Sequence, residues 1–356
     1  MIGFFDLVAY LIYIHFNYIY FFRIRLCYIL AVIYMYINLN HDKFIMRLIE
    51  NKKKRGIIMR IFITGATGFV GSAIVKELLS AGHEVLGLAR SDSAAKSLIA
   101  AGAHVHRGEL EDVESLRKGA AIVDGVIHTA FNHDFSNFKN NCEADRRVIE
   151  ALGSVLAGSD RPLIVTSAIG ILPQGHHATE ETEPISGPKA HFRAASEEAS
   201  HKISKSGVRV LVVRLSPTVH GKGDHNFIPT LIKIAREKGV SAYIGEGNNC
   251  WPAVYRLDAA HLFRLVLEKG AAGSKYHAVA EEGIPFKEIA GMIGRSLGIP
   301  VVSIAPQEAV KHFGWFTHFA AIDISASSQR TRDQLMWHPK QPGLIEDIGL
   351  SHYFEA

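Results

Sequence analysis

A glycine-rich segment between a short apolar run and a helical pattern is the strongest chemical signal in this chain. The apolar run covers residues 60–64, apolar residues three and four apart then continue to Gly82, and residues 84–89 supply the next apolar run. In such a unit, glycines let the backbone approach a pyrophosphate that sits on the positive end of the helix. The segment predicts a dinucleotide site formed by Gly65, Ala66, Thr67, Gly68, Phe69, Val70 and Gly71.

The end of the second apolar run bears on which dinucleotide is bound. A site selective for NAD places Asp or Glu there for the ribose hydroxyls, whereas this chain has Arg90 followed by Ser91. A guanidinium pairs bidentately with a phosphate, so Arg90 favours NADP, with NAD as the alternative cofactor. The simpler interpretation of Arg90 is a solvated strand end.

The elements that must position these residues alternate between strand and helix patterns from residue 59 onward. Such alternation predicts an α/β fold with a doubly wound, parallel Rossmann sheet. We expect residues 59–216 to form the NAD(P)-binding domain.

Further motifs follow in a fixed order and, with the glycine segment, resemble the short-chain dehydrogenase/reductase superfamily. The similarity is to its extended and atypical branches, also called NAD-dependent epimerase/dehydratases, and it spans residues 59–354. The motifs are GEL at 108–110, VIHTA at 126–130, VTS at 165–167, VRLSP at 213–217 and VYRLDAA at 254–260. The resemblance implies further cofactor contacts from Glu109, Leu110, Thr129, Ala130 and Pro217. It also implies that residues 217–356 form mainly a smaller C-terminal substrate lobe, built chiefly from residues 217–247 and 274–338, with some elements returning to the Rossmann domain.

The family's catalytic pair, Tyr-x-x-x-Lys, is altered in this chain. In the family the lysine holds the ribose, the tyrosine exchanges a proton with the substrate oxygen, and a serine on the fifth strand orients that oxygen. Ser167 stands in the serine's place, but residues 37–242 contain no tyrosine. If Glu197 matches the glutamate that follows the family lysine by four positions, Arg193 occupies the lysine position and Lys189 the tyrosine position. The resemblance therefore implies Ser167 and Arg193 as the catalytic residues.

A replacement proton donor must come from elsewhere, because a guanidinium does not release a proton at neutral pH. His191, Lys189, His220 and Tyr255 are the alternatives, and each has a simpler interpretation as a loop or surface residue. The nineteen histidines form no array with metal-ligand spacing, so we predict no metal site.

Two functions fit these patterns. The first is an NADP-dependent oxidoreductase that reduces a small aldehyde or ketone, or oxidises the alcohol, with a non-standard proton donor. The second is a non-enzymatic dinucleotide-binding redox sensor or scaffold, which the missing tyrosine favours. The expected partner is a small carbonyl or alcohol compound, and the resemblance implies a homodimer through the helices after the fourth and fifth strands. Aromatic residues predicted to line the substrate cleft are Phe131, Phe227, Trp251, Tyr255 and Trp315.

The first 58 residues differ in composition from the rest of the chain. They carry eight Lys or Arg and three Asp or Glu. The whole chain has 39 basic and 35 acidic residues, so the part that follows residue 58 has 31 basic and 32 acidic residues. That near-neutral part of the chain gives no electrostatic reason to expect nucleic acid as a partner.

The three cysteines of the chain are scattered and too few for a disulfide framework, so we expect a cytoplasmic setting.

The hydrophobic leader, residues 1–58, has two interpretations. Its apolar runs, 7–22 and 26–39, are each shorter than the roughly 20 residues of a spanning helix, and Arg23 and Arg25 separate them. It is either translated sequence upstream of a start at Met59 or a membrane anchor. In the second case the protein would be membrane-anchored.

Overall fold

The computed structural model describes residues 58–354 and, before them, Gly3 alone. The two interpretations of the leader therefore concern residues that lie outside the described part of the chain. Within residues 58–354, no helix combines the length and apolar character needed to cross a lipid bilayer.

The described chain alternates strands and helices. The strands are β1 (Arg60–Thr64), β2 (Glu84–Ala89), β3 (His104–Arg107), β4 (Gly125–His128), β5 (Leu163–Ala168), β6 (His177–Ala178), β7 (Val210–Leu215), β8 (Thr218–His220), β9 (Ser241–Ile244), β10 (Cys250–Tyr255), β11 (Lys275–Ala278), β12 (Glu281–Pro285), β13 (Val301–Ile304) and β14 (Ser325–Ala326). The helices are α1 (Phe69–Ser80), α2 (Asp92–Ala100), α3 (Val113–Ala121), α4 (Phe138–Leu156), α5 (Ala195–Lys205), α6 (Phe227–Lys238), α7 (Arg256–Lys269), α8 (Phe286–Leu297), α9 (Ala309–Phe313), α10 (Thr317–Ala320), α11 (Gln329–Leu335) and α12 (Leu344–Ile348).

A parallel central sheet confirms the predicted fold class. Its order within the described residues is β11-β7-β5-β4-β1-β2-β3, and every pairing is parallel. Ile61, Phe62 and Ile63 of β1 are all fully buried, as expected for a parallel strand covered by helices on both faces. The strand order reverses between β1 and β4, which is the point where such sheets bind ligands.

Helices cover both faces of this sheet. On one face, apolar side chains of α1 and α7 pack on β1 and β2 in a cluster that includes Ile74 and Phe263. On the other face, side chains of α3, α4 and α5 surround Phe62, with Leu152 and Ala199 among them. The two layers fix the carboxyl ends of the strands relative to one another, because each strand is buried on both sides.

Much of the remaining chain packs around a separate apolar cluster, which three smaller sheets help to form. The sheets are β12-β10-β8, β13-β9 and β14-β6, and Trp251 and Phe286 lie in the cluster. The prediction that residues 274–338 belong to the lobe is wrong for β11, which pairs with β7 in the central sheet. Its position there is explained by Tyr276, which is buried in the core beneath α7. The boundaries of the two domains stay predictions.

Candidate active site

The glycine segment forms a tight turn between β1 and α1. Gly65 has a φ of 70°, a left-handed conformation that favours glycine, and the Gly68 N–H donates to its carbonyl oxygen at 2.9 Å. A Cβ on Gly71 would lie 2.0 Å from the Gly65 oxygen, so the turn and the helix meet more closely than any side chain allows. Gly68 precedes α1 and no side chain caps the helix. The first N–H groups of α1 therefore suit the pyrophosphate that the sequence predicts.

The end of β4 closes against this turn. The Thr129 hydroxyl donates to the Thr64 carbonyl oxygen at 2.7 Å, and the Ala130 N–H donates to the Thr64 hydroxyl oxygen at 3.3 Å. A Cβ on Gly65 would lie 2.7 Å from the Ala130 nitrogen, so the two segments leave no space for a side chain. The geometry brings Thr129 and Ala130 beside the glycine turn.

Arg90 and Ser91 follow β2 at the same edge of the sheet. The Arg90 side chain is exposed, and the Ser91 hydroxyl oxygen caps α2 by accepting the Ala94 N–H at 3.2 Å. After β3, Glu109 is exposed and Leu110 is half-buried against the core. Pro217, between β7 and β8, is also half-buried. These placements leave the cofactor contacts of Arg90, Glu109, Leu110 and Pro217 as predictions.

Arg193 lies in a network of buried polar side chains rather than in open solvent. Its guanidinium pairs with the Asp145 carboxylate and lies 4.0 Å from the centroid of the Phe131 ring. The other Asp145 oxygen lies 3.0 Å from Nε2 of His128, whose Nδ1 lies 2.7 Å from the Thr64 hydroxyl. The network joins the end of β1, next to the glycine turn, to the chain before α5.

The charge of Asp145 is held by this network. Burial opposes ionisation, but the Arg193 charge and hydrogen bonds from His128 and Ser196 outweigh it and hold the pKa of Asp145 well below its usual range. Asp145 is 1% exposed. Sequence reasoning missed this residue, although it lies on the buried face of α4 together with Val148 and Leu152, a position where a carboxylate needs a partner.

Ser167 takes part in a second buried network. Its hydroxyl donates to the Glu197 carboxylate at 2.7 Å, and the side chain is 2% exposed. Arg214, fully buried, donates two hydrogen bonds to the same carboxylate, each at 2.8 Å, and also contacts Nε2 of His277 at 3.2 Å. Burial and then the Arg214 charge lower the pKa of His277 to about 3. The catalytic roles of Ser167 and Arg193 stay predictions.

An open cleft of about 1080 Å³ lies beyond the carboxyl ends of β4 and β5. Segments after β4, after β5 and before α5 form one side, and the turn around α10 forms the other. We call it the aromatic cleft, because its lining includes Phe135, Phe138, Phe192, Trp315 and Phe319. His191 and Lys189, two of the predicted replacement donors, also line it.

Only one of the five aromatic residues predicted to line the cleft does so, namely Trp315, which is 62% exposed. The prediction is wrong for Trp251, which is fully buried and packs against Phe227 and Phe286 in the lobe core. Phe131 lies under Arg193 instead. Tyr255 stacks edge-on against His220 at 5.3 Å, outside the aromatic cleft.

His220, another predicted donor, is buried away from the cleft. Its Nδ1 lies 2.8 Å from the Asp347 carboxylate, and both side chains are almost fully buried. The pair ties β8 to α12 near the end of the chain. Among residues 58–354, no group of three or more His, Cys, Asp or Glu side chains is arranged to hold a metal ion.

Residues 61–280 match the family model described as the NAD dependent epimerase/dehydratase family. The match covers more than half of the chain. The chain belongs to this family. Membership confirms the resemblance drawn from the motifs, and the family is, by its description, NAD-dependent.

Known proteins similar to this chain extend the comparison. An uncharacterised protein of Schizosaccharomyces pombe is 53% identical over 296 residues, which are 83% of this chain and all of that protein. The 2-alkyl-3-oxoalkanoate reductase of Stenotrophomonas maltophilia is 27% identical over 266 residues, 69% of this chain and 78% of the reductase. The crystal structure of Thermus thermophilus UDP-glucose 4-epimerase in complex with NAD has a TM-score of 0.63 at 22% identity and covers 83% of this chain and 99% of the epimerase chain. That structural similarity shows the shared fold.

Proposed function

We propose that this protein is an NAD(P)-dependent oxidoreductase that reduces a small aldehyde or ketone with NADPH. The proposal is based on one observation. The glycine turn, at the uncapped start of α1, and the aromatic cleft lie at the same edge of the sheet. A dinucleotide on the turn would reach toward a compound in the cleft, because both lie beyond the carboxyl ends of neighbouring strands. Bound NADPH supplies a hydride.

The preference for NADPH rests on Arg90. Its exposed guanidinium follows β2, where the ribose of a dinucleotide on the glycine turn is expected, and it would pair with a 2'-phosphate. Arg90→Asp should weaken NADPH binding at least about tenfold, because a charge-assisted hydrogen bond contributes roughly 1.5–3 kcal/mol, while NADH binding changes little. Isothermal titration with both cofactors measures the difference. Equal losses for the two would remove the preference.

We propose that Ser167 and Arg193 position the segments around the cofactor and the cleft. Arg193 holds Phe131 and joins the glycine turn to α5 through Asp145, while Ser167 fixes Glu197 at the start of the same helix. In this proposal both side chains position other groups, because each already has a buried partner. The prediction from the family resemblance goes further, since it gives Ser167 and Arg193 a direct contact with the substrate or the cofactor.

A similar protein and the lining of the cleft support a carbonyl substrate. The Stenotrophomonas maltophilia reductase, by its name, acts on a 3-oxoalkanoate, which carries a ketone. The aromatic cleft of this chain offers rings and few charges, which suits an apolar carbonyl compound better than a sugar nucleotide.

A non-enzymatic redox sensor or scaffold is the second candidate. The missing tyrosine favours it, and so does the engagement of Ser167 and Arg193 in buried pairs. The two candidates separate in one experiment: titrate NADPH and NADH, then follow NADPH oxidation at 340 nm with a panel of aldehydes and ketones. Turnover with any carbonyl supports the oxidoreductase. Tight NADPH binding without turnover on the whole panel supports the sensor.

We also propose two further features of the protein. The first is a homodimer through α4 and α5, which the family resemblance implies. Light scattering after size-exclusion chromatography tests it. The described cysteines, Cys142 and Cys250, are free thiols, which fits the cytoplasmic setting proposed from the cysteine count.

A further inference from the structure

The imidazole of His191 has a defined orientation in the aromatic cleft. His191 starts a single 3-10 turn, Phe192–Ala194, that leads into α5, and its Nδ1 accepts the backbone N–H of Arg193 at 3.2 Å. A ring nitrogen that accepts a hydrogen bond carries no proton, so the proton of the neutral ring lies on Nε2. The neutral side chain is therefore an N–H donor at the cleft wall.

The surroundings of His191 keep the ring neutral. Burial lowers its pKa from the ordinary value, and the charges of His318 and Arg193 lower it further. Phe138 of α4 contacts the ring edge-on, with centroids 5.7 Å apart, and brings no charge. The other ionisable residues of the cleft lining are His133, Asp134 and Lys189. At pH 7 the cleft thus presents a neutral Nε2–H and not an imidazolium.

Aromatic rings continue from His191 across the cleft. Phe138 leads to Phe135, whose ring stacks against Trp315 with centroids 5.7 Å apart and meets Phe319 at 5.1 Å. Trp315 is 62% exposed, which is unusual for a tryptophan and leaves much of its surface open to a ligand. Such rings favour a planar aromatic partner in stacked or edge-on contact.

We propose that His191 donates its Nε2–H to the carbonyl oxygen of an aromatic aldehyde or aryl ketone whose ring lies against Phe135 and Trp315. The proposal rests on the proposed function. It places His191 at the substrate oxygen, where the family's tyrosine acts, but as a hydrogen-bond donor that does not give up its proton. His191 stands two residues before Arg193, in the segment where the family carries its catalytic pair.

The reaction step balances with NADPH as the reductant and one water molecule as the proton source. A hydride with its two electrons, supplied by NADPH, forms the new C–H bond while the C=O π bond breaks toward oxygen. The hydrogen bond from His191 stabilises the negative charge that develops on that oxygen. A water molecule in the open cleft then gives its proton to the alkoxide, and hydroxide leaves to solvent. His191 keeps its own proton throughout.

The first test measures binding and needs no turnover. Benzoate combines a planar ring with an anionic oxygen at the carbonyl position, and benzyl alcohol is its neutral counterpart. His191→Asn keeps an oxygen able to accept the Arg193 N–H but lacks a donor at the reach of Nε2, whereas His191→Gln retains an N–H at that reach. We expect the benzoate Kd to rise about tenfold in His191→Asn, by the loss of a charge-assisted hydrogen bond, and much less in His191→Gln. Benzyl alcohol binding should change less than benzoate binding.

The matched control for a histidine-to-asparagine change is His104→Asn, at an exposed position on the edge strand β3. It should leave the benzoate Kd unchanged. Equal benzoate affinity in wild type and His191→Asn would overturn the role of His191. A wild type that binds no benzoate would overturn the aromatic site as a whole.

The second test measures turnover with NADPH. His191→Asn should lower kcat for benzaldehyde about 10²- to 10³-fold, the loss seen when one oxyanion donor is removed. Trp315→Ala should lower the preference for benzaldehyde over cyclohexanecarbaldehyde by about twofold to tenfold, since aromatic contacts account for a difference of that size.

The two tests separate this inference from the proposed function. Wild-type turnover that His191→Asn leaves intact would refute the His191 contact and leave the oxidoreductase standing. A benzoate site that depends on His191, in a protein that oxidises NADPH with no carbonyl, would refute the oxidoreductase and leave the contact standing.

Discussion

Asp145→Asn is the substitution that tests the buried network most sharply. The change keeps the size of the side chain, removes its charge and replaces one acceptor oxygen by an N–H donor. Asp145 is 1% exposed and Arg193 11% exposed on their side chains, so the amide leaves a guanidinium with little water to compensate it. Breaking a buried pair in this way costs about 3–5 kcal/mol of the free energy of unfolding. With a urea slope of roughly 3 kcal/mol/M, the midpoint should fall by about 1 M or more.

The pH dependence gives the same prediction a second observable. The folded-state pKa of Asp145 lies below the unfolded-state value of about 3.9, so its contribution is fully present above that pH and is lost as pH falls below it. Wild type should lose stability on acidification below about pH 4, and Asp145→Asn should lose less over the same range.

A matched control is available at an exposed ion pair. Asp92 pairs with Arg107 at the surface, with side chains that are 86% and 53% exposed. Asp92→Asn should therefore cost less than about 1 kcal/mol. If urea midpoints of Asp145→Asn and Asp92→Asn shift by the same small amount, the account of Arg193 as a buried, paired cation is refuted.

Two further predictions concern the glycine turn and the second network. Gly71→Ala should lower the free energy of unfolding by about 1–3 kcal/mol, because its Cβ would lie 2.0 Å from the Gly65 oxygen. It should also abolish the shift in melting temperature that we expect NADPH to produce. An unchanged NADPH shift would contradict the turn geometry. The pKa of His277 is about 3 in the folded protein, below its unfolded value, so wild type should lose up to about 1.4 kcal/mol per pH unit as pH falls from 6.5. His277→Gln should flatten that slope in urea titrations at pH 7 and pH 5, and an identical slope would speak against the buried neutral ring.

The central sheet and the glycine turn could be predicted from local patterns. The expected first helix, with its apolar face before Gly82, is α1, and the run 84–89 is β2 itself. Both follow from short-range periodicity and from turn chemistry, which act within a few residues. The fixed order of motifs gave the family for the same reason, since each motif is a local segment.

The partners of the buried polar side chains could not be predicted, because these side chains meet across long stretches of chain. Asp145 and Arg193 are 48 residues apart, and His220 and Asp347 are 127 apart. Trp251 was wrongly expected in the cleft because its type favours a binding wall as well as a core. Its burial depends on how the small sheets of the lobe pack. Tertiary packing, which the sequence pattern does not encode locally, decides these positions.

The measurement that tests the central claim most directly is a single turnover with deuterium-labelled cofactor. The protein is mixed with a stoichiometric amount of NADPH carrying deuterium at the transferable position, together with benzaldehyde, and the benzyl alcohol is analysed by mass spectrometry. The account predicts alcohol with one deuterium on the carbinol carbon. NADPH that binds tightly while no carbonyl compound of the panel acquires deuterium would contradict it.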